Sequence, residues 1–439
     1  MNPTGLLGVV LLIILAWAIS EDRRRFPWRV AIGGVALQLV IAVLLIRFPP
    51  VVAVFQFLAE GIAQVISFAD AGIGFIFGDQ LLDQNGPWGF VFAVKVLPVI
   101  IYFAALMAVL YHLGIMQVIV RALAWLLQRS LGVGGAEALA MAANVFVGQT
   151  EAPLCIKPYL DKMSRAGLMT LMVGGFATIA GSVLAGYVQF LAPNAPSGAT
   201  EAVRLAAEAH QAMWIRHLLT ASVMSAPAAF VMARIIVPER ADAEPDHAHM
   251  SDDKPAANLL DAAATGATDG LRLALNVGAM LIAFVALLAL INWPLNAIGH
   301  VPAVHDWLAG RGVEELNLQV VLGWVFWPLA WCMGVPTGDA GFVGRLMGEK
   351  LILTEFFAYV SLAHAVNGPG GAVISERASA IAAYALCGFA NFGSIGIQIG
   401  GLSALAPSRR ADFVSLAFKA MIGGAFASWM TAAIAGVFL

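Results

Sequence analysis

Charge is scarce in this sequence. Only 12% of its 439 residues are Asp, Glu, Lys or Arg, and 60% are hydrophobic. Soluble domains carry about 25% charged and about 45–50% apolar residues. A chain this poor in charge cannot wet its own surface, and a bilayer is the solvent its composition fits. The net charge is −3, with Lys and Arg scattered, so the basic patch that a nucleic-acid partner needs is missing. Cysteine is nearly absent. Cys155, Cys332 and Cys387 each lie in an apolar stretch and form no CxxC pair. They read as small buried hydrophobes, with neither a disulfide framework nor a metal site encoded. There is no GxxxxGK[ST] loop, which argues against a primary pump. There is no HExxH, and His112, His217 and His364 stand alone. An intramembrane hydrolase, the alternative from another class, would need a Ser–His, paired-Asp or HExxH constellation, so the chain reads as a non-enzyme without a cofactor.

Apolar runs are what the chain has instead. They recur at 5–19, 28–46, 90–113, 166–191, 214–237, 271–293, 379–405 and 413–439. At roughly 20 residues per crossing they predict about eight transmembrane helices. The first run is followed by Arg23, Arg24 and Arg25 rather than preceded by them. That is the reverse of a signal peptide, so a retained helix is expected. Two further regions, 136–160 and 318–366, are broken by Gly and Pro. If both return to the side they enter from, the basic residues segregate. Arg23, Arg24, Arg25, Arg29, Arg121, Arg129, Lys157, Lys162, Arg165, Arg234, Arg240, Lys254, Arg409 and Arg410 then fall inside, fewer (mainly Arg47, Lys95, Arg204, Arg216, Arg311 and Arg377) fall outside, and both termini fall outside. The stretch 238–257 is acidic and Pro-containing and reads as a flexible cytoplasmic linker. His247 and His249 within it are taken as solvated, since no ordered ligand partners accompany them. Segment 70–88 is expected to be interfacial or external, and 194–212 a short surface helix or loop.

Two polar clusters interrupt the apolar regions. Asn144, Gly148, Gln149, Thr150, Glu151 and Pro153 lie between arms of about half a span, which predicts a re-entrant hairpin with its tip near the midplane. Half-helix ends there offer free N–H and C=O groups, and Gln149 and Glu151 supply an amide and a carboxylate. In the second cluster Lys350, Thr354 and Glu355 precede a run of Cys387, Gly388, Phe389, Asn391, Gly393 and Ser394. Small polar residues inside a span predict an unwound helix, and a carboxylate, an amide and a hydroxyl suit sugar hydroxyls. A third break, 174–181, carries Thr178. Its hydroxyl and freed carbonyls, facing Asn144 and Val147, would offer a hard cation the oxygen ligands it prefers. Each half thus has a broken hairpin with a glutamate followed by a broken span, the plan of an inverted-repeat secondary transporter.

These breaks carry a resemblance. GQTEAPLCIKPYL at 148–160, GGFATIAGSVLAGY at 174–187, LTEFFAY at 353–359 and ALCGFANFGSIGIQIGGLSALAP at 385–407 resemble signatures of the concentrative nucleoside transporter family. So does NLLDAAATGATDGLRLALNVGAMLIAF at 258–284, and the resemblance covers essentially the whole chain. It implies an all-α integral membrane fold of eight transmembrane helices, two re-entrant hairpins and interfacial helices. It also implies an inverted-repeat transport domain of elevator type and a homotrimer in the cytoplasmic (inner) membrane. The implied division is scaffold at 1–113, first repeat at 114–237, linker at 238–257, interfacial and scaffold helix at 258–293, and second repeat at 294–439. By similarity the nucleobase meets Gly148, Gln149, Thr150, Glu151 and Val183. The ribose meets Glu355, Asn391 and Ser394, with Phe389 nearby. Sodium is held by Asn144, Thr178 and the backbone of Val147 and Ile179. The function so implied is import of nucleosides coupled to sodium. The alternative is proton coupling, for which Glu151 and Glu355 are the available carriers.

Overall fold

The computed structural model describes residues 3–78, 81, 91–149, 151–192, 199–239, 256–310, 313, 315–368 and 372–439. Thr150, most of the linker at 238–257 (with His247 and His249), most of 79–88 and part of 194–212 lie outside the described residues. Every regular element among the described residues is helical. In chain order the longer ones are α1 (Thr4–Ala18), α2 (Trp28–Ala42), α3 (Pro49–Ser67), α4 (Ala69–Phe77), α5 (Leu97–His112), α6 (Ile115–Leu131) and α7 (Gly135–Asn144). A 3-10 segment (Ala152–Lys162) leads to α8 (Arg165–Ala177), α9 (Gly181–Leu191), α10 (Glu201–Ile236), α11 (Leu259–Gly299), α12 (Pro302–Ala309) and α13 (Leu318–Cys332). Then follow α14 (Ala340–Ile352), α15 (Glu355–Asn367), α16 (Glu376–Leu386), α17 (Phe392–Leu405) and α18 (Arg410–Phe438).

Seven stretches among the described residues are long and apolar enough to cross a bilayer. Five match predicted spans alone: Trp28–Arg47, Phe92–His112, Glu201–Ile236, Leu259–Gly299 and Pro407–Phe438. Arg165–Leu191 is a sixth and contains the α8/α9 break. Pro49–Phe77 is a seventh that the sequence reading did not count, since only 70–88 was singled out there. The first predicted span is a helix of only 15 residues, and the one at 379–405 is split into α16 and α17. α11 has 41 residues. At 1.5 Å per residue it runs ~60 Å, about twice the hydrocarbon thickness, so part of it must leave the apolar slab.

Burial separates two kinds of helix. Within its most apolar 18-residue stretch, the α8–α9 span has 94% of residues buried and α10 and α18 each 89%, whereas α11 and α3–α4 have only 17%. The dense part forms around α8, α10 and α18, which pack on one another. α1 and α2 join it. A Cβ on Gly8 of α1 would sit 3.2 Å from Ala433 Cβ of α18, and Gln38 of α2 donates to Met224 O (2.9 Å) and Thr431 Oγ1 (3.1 Å). α1 and α2 pack on α10 and α18, and α5 packs on α11 and α9. The α5–α11 contact uses a stripe of small residues, Ala262, Gly266, Gly270 and Ala274, all buried. A Cβ on Gly266 would lie 2.7 Å from Ala104 O, so the two backbones meet only because the side chain is absent. The outer side of α11 exposes Leu275, Ile282, Leu290 and Trp293.

α6 was predicted only as part of a basic connection. It is an amphipathic helix with Met116, Val120, Ala124, Leu127 and Leu131 buried, and left-handed glycines at both ends, Gly114 (φ 84°) and Gly132 (φ 66°). Of the three cysteines only Cys387 is fully buried, while Cys155 and Cys332 are half-buried.

Candidate functional site

The first hairpin forms where the sequence breaks. α7 is buried along its whole length and stops at Asn144. The return arm is a 3-10 segment rather than an α-helix, kinked at Ile156 (φ −123°, ψ 15°). Pro153 and Pro158 remove backbone donors there, which disfavours the regular i→i−4 ladder. The tip is tied down from two sides. Ser222 of α10 donates to Val145 O (2.8 Å), and Gly181 N donates to Phe146 O (2.9 Å).

Gly181 is the first residue of α9, so the tip is fastened to the break in the next span. That break is extended backbone from Thr178 (φ −116°, ψ 167°) to Ala180 (φ −71°, ψ 146°). The last four carbonyls of a helix lack intrahelical donors. One of them, Gly174 O, accepts from Thr178 Oγ1 at 2.8 Å. The Thr178 oxygen keeps its acceptor capacity while its proton is so used. Beside it stands Asn144, 1% exposed. A Cβ on Gly174 would be 3.2 Å from Asn144 Nδ2, so the glycine admits the amide. Both Asn144 side-chain atoms, Oδ1 and Nδ2, are buried without a hydrogen-bond partner. A buried amide left so costs about 1–3 kcal/mol per group unless something else fills the role. Ile179 is buried and Val147 half-buried at the same junction. This donor set of an amide oxygen, a hydroxyl oxygen and nearby backbone carbonyls fits a hard monovalent cation.

The second hairpin is α14 and α15, joined at Leu353–Thr354. Thr354 caps α15, its Oγ1 accepting from Phe357 N (3.3 Å), and places Glu355 as the first helical residue. Glu355 is 3% exposed. Its Oε2 accepts from Asn391 Nδ2 (2.7 Å) and its Oε1 from the Tyr187 hydroxyl (3.3 Å). Asn391 Oδ1 in turn caps α17, accepting from Ser394 N at 2.8 Å. The Asn391 amide is therefore oriented from both ends. One carboxylate thus joins the second hairpin, the second broken helix and, through Tyr187 on α9, the first repeat.

The break between α16 and α17 spans 387–391. Gly388 has φ 131°, a conformation reserved to glycine, and a Cβ there would lie 2.7 Å from Phe176 O and 2.9 Å from Ala177 O. Phe176 and Ala177 end α8, so the two broken helices touch at their breaks. Two orphan carbonyls of α16 are taken by the second hairpin. Tyr359 OH donates to Ala383 O (2.8 Å) and Lys350 Nζ to Ala385 O (3.0 Å). Lys350, wholly buried, also donates to Ser428 Oγ (2.7 Å). Tyr187 stacks on Tyr359 with centroids 4.1 Å apart.

The remaining predicted residues fall around the same junction. Gln149 is buried, Val183 and Ser394 are buried, and Phe389 is half-buried. Gly148 lies against the Glu151 carboxylate, where a Cβ would stand 3.1 Å from Glu151 Cδ, and Glu151 itself is exposed. Tyr187 and Tyr359 were not singled out from the sequence. Each lies one helical turn after a residue that was, Val183 and Glu355, and i,i+4 spacing puts it on the same face. That periodicity was the available signal.

Comparison with known proteins gives a consistent result. Residues 7–80 match the profile described as "Na+ dependent nucleoside transporter N-terminus", 93–194 that of "Nucleoside recognition", and 217–436 that of "Na+ dependent nucleoside transporter C-terminus". An uncharacterized transporter of Haemophilus influenzae is 41% identical, over 99% of this chain and 97% of its own. The nucleoside permease NupC of Helicobacter pylori is 38% identical over 99% and 97%. Among solved structures, the transporter CNTnw in an inward-facing substrate-bound state superposes with a TM-score of 0.84 at 38% identity, covering 99% of this chain and 97% of that one. A doubly substituted CNTnw in an outward-facing state superposes at 0.86, with the same identity and coverage.

Proposed function

The chain belongs to the Na+-dependent nucleoside transporter family, and on that premise we propose that it imports nucleosides across the cytoplasmic membrane by symport with sodium. The observation that carries the sodium reading is the Asn144 amide, buried and unpartnered beside the Thr178 hydroxyl at the meeting of hairpin tip and helix break. In this reading Asn144 Oδ1, Thr178 Oγ1 and the carbonyls of Val147 and Ile179 hold the ion. Sodium then fastens the first hairpin against α8–α9 and organises the adjacent base-binding side, Gly148, Gln149, Thr150, Glu151 and Val183. Glu355, Asn391 and Ser394 hold the ribose from the second repeat, with Phe389 at its edge. An ion that closes one wall of the substrate site raises nucleoside affinity, and by reciprocity the nucleoside raises affinity for the ion.

The mobile body in this proposal comprises both hairpins, both broken helices, α10 and α18. α1–α5 and α11 form the scaffold, whose exposed apolar face on α11 meets lipid or the neighbouring subunits of a homotrimer. Both termini lie outside. The test is uptake of labelled uridine into proteoliposomes. An inward sodium gradient should drive it. Uptake that follows a pH gradient and ignores sodium would replace the reading with proton symport.

A further inference from the structure

Gln398 lies on α17, four residues after Ser394 and seven after Asn391. Positions i, i+3 and i+7 share one helix face, so it follows the two ribose candidates along the wall they form. It is 1% exposed. Its Nε2 donates to Met172 O of α8 at 3.0 Å. A backbone carbonyl can only accept, so this bond fixes which way the amide points. The Gln398 Oε1 is then held as an acceptor, and it is buried with no donor. Gln149, at the first hairpin tip, also has a buried Oε1 without a donor. The two glutamines meet over Gly175, where a Cβ would lie 2.5 Å from Gln398 Nε2 and 2.9 Å from Gln149 Cβ. Only the missing side chain of Gly175 lets the Gln398 amide come in beside the stem of Gln149 there. Two buried acceptors without donors call for a ligand that brings N–H groups.

We propose that Gln398 is a specificity-determining residue for the nucleobase, its fixed Oε1 acting with that of Gln149 to accept from an N–H on the base's polar edge. The inference rests on the nucleoside reading above and adds to it a reader from the second repeat. A uracil imide N–H or the exocyclic amine of cytosine or adenine supplies the donor. A base edge offering only acceptors or C–H leaves both carbonyls unpaired.

The experiment compares uridine, pyrimidin-2-one riboside (N3 a bare acceptor and C4–H in place of the carbonyl, so no N–H on the base) and 2′-deoxyuridine in proteoliposome uptake, for the wild type and Gln398→Met, a variant of similar volume without polar atoms. For the wild type, loss of the base N–H should lower kcat/KM about tenfold, since the two buried acceptors are then left without a donor. For Gln398→Met that discrimination should fall to about twofold or less, while the uridine to 2′-deoxyuridine ratio stays unchanged. If Gln398 only joins α17 to α8, the variant scales all three substrates alike, and that result overturns the proposal. Should Gln398→Met fail to fold, equal binding of uridine and pyrimidin-2-one riboside by the wild type, measured by calorimetry, overturns it as well. Absence of any nucleoside uptake by the wild type would instead sink the function proposed above, so the two failures are distinguishable.

Discussion

Glu355→Gln should weaken nucleoside binding without unfolding the protein, and the hydrogen-bond geometry says why. Asn391 offers Nδ2 to the carboxylate and cannot turn, because its Oδ1 is held by Ser394 N. A glutamine at 355 must therefore present its oxygen to Asn391 and its NH2 to Tyr187. The Tyr187 hydroxyl can rotate from donor to acceptor. The substrate-free site thus accommodates the amide with both bonds kept, and stability should change by about 1 kcal/mol or less. What is lost is the charge. A hydrogen bond to a charged group contributes about 1.5–3 kcal/mol and a neutral one about 0.5–1.5, so the ribose hydroxyl loses about 1–1.5 kcal/mol. That corresponds to a rise in Kd of roughly 5- to 13-fold. Titration calorimetry on the purified protein in saturating sodium measures it, and thermal melting controls for folding. A nucleoside lacking the contacted hydroxyl should bind wild type and variant alike. Unchanged uridine affinity in a folded variant would remove Glu355 from the site.

Three further outcomes follow from the same geometry. Asn144→Leu should leave a folded protein whose nucleoside binding no longer responds to sodium, since it removes the unpartnered amide; a sodium titration identical to wild type would refute the cation site. Gly388→Ala forces a side chain into a φ of 131° and against Phe176 O, and should cost about 2–4 kcal/mol, read as a clear drop in melting temperature; an unchanged Tm would mean the broken helices do not meet as described. At the surface, a hydrogen bond from Arg165 chiefly, aided by Lys419, holds the Glu21 carboxyl below the usual carboxylate range. A lowered folded pKa means the stabilisation is present above the ordinary value of 4.5 and is lost as pH falls through the folded value. Glu21→Gln should therefore lower Tm slightly at pH 7 and have no effect at strongly acid pH, the exposed pair contributing about 0–1 kcal/mol. An effect that grows on acidification would contradict the sign.

Composition and periodicity determined much of this protein. A charge content of 12% implies a bilayer for any arrangement of the chain, because charged groups are what water-facing surfaces need. Gly and Pro inside apolar runs marked the two hairpins and both broken helices, since those residues act on their own backbone whatever surrounds them. The residues at the breaks carried the family resemblance, and the comparisons bear the family out. Tertiary structure decided what depends on approach across the chain. Nothing in the sequence joins Tyr187 to Glu355, 168 residues apart, or Gln398 to Met172, 226 apart. Nor does it say that α1 and α2 pack on the dense body, since an apolar helix face does not name its partner. The second proline in the first hairpin's return arm was visible, yet the 3-10 winding it leaves emerged only in the fold. Hydrophobic patterning acts locally and can be read along the chain. An unpartnered amide such as Asn144 exists only where packing has removed every other partner, and there the folded structure alone could show it.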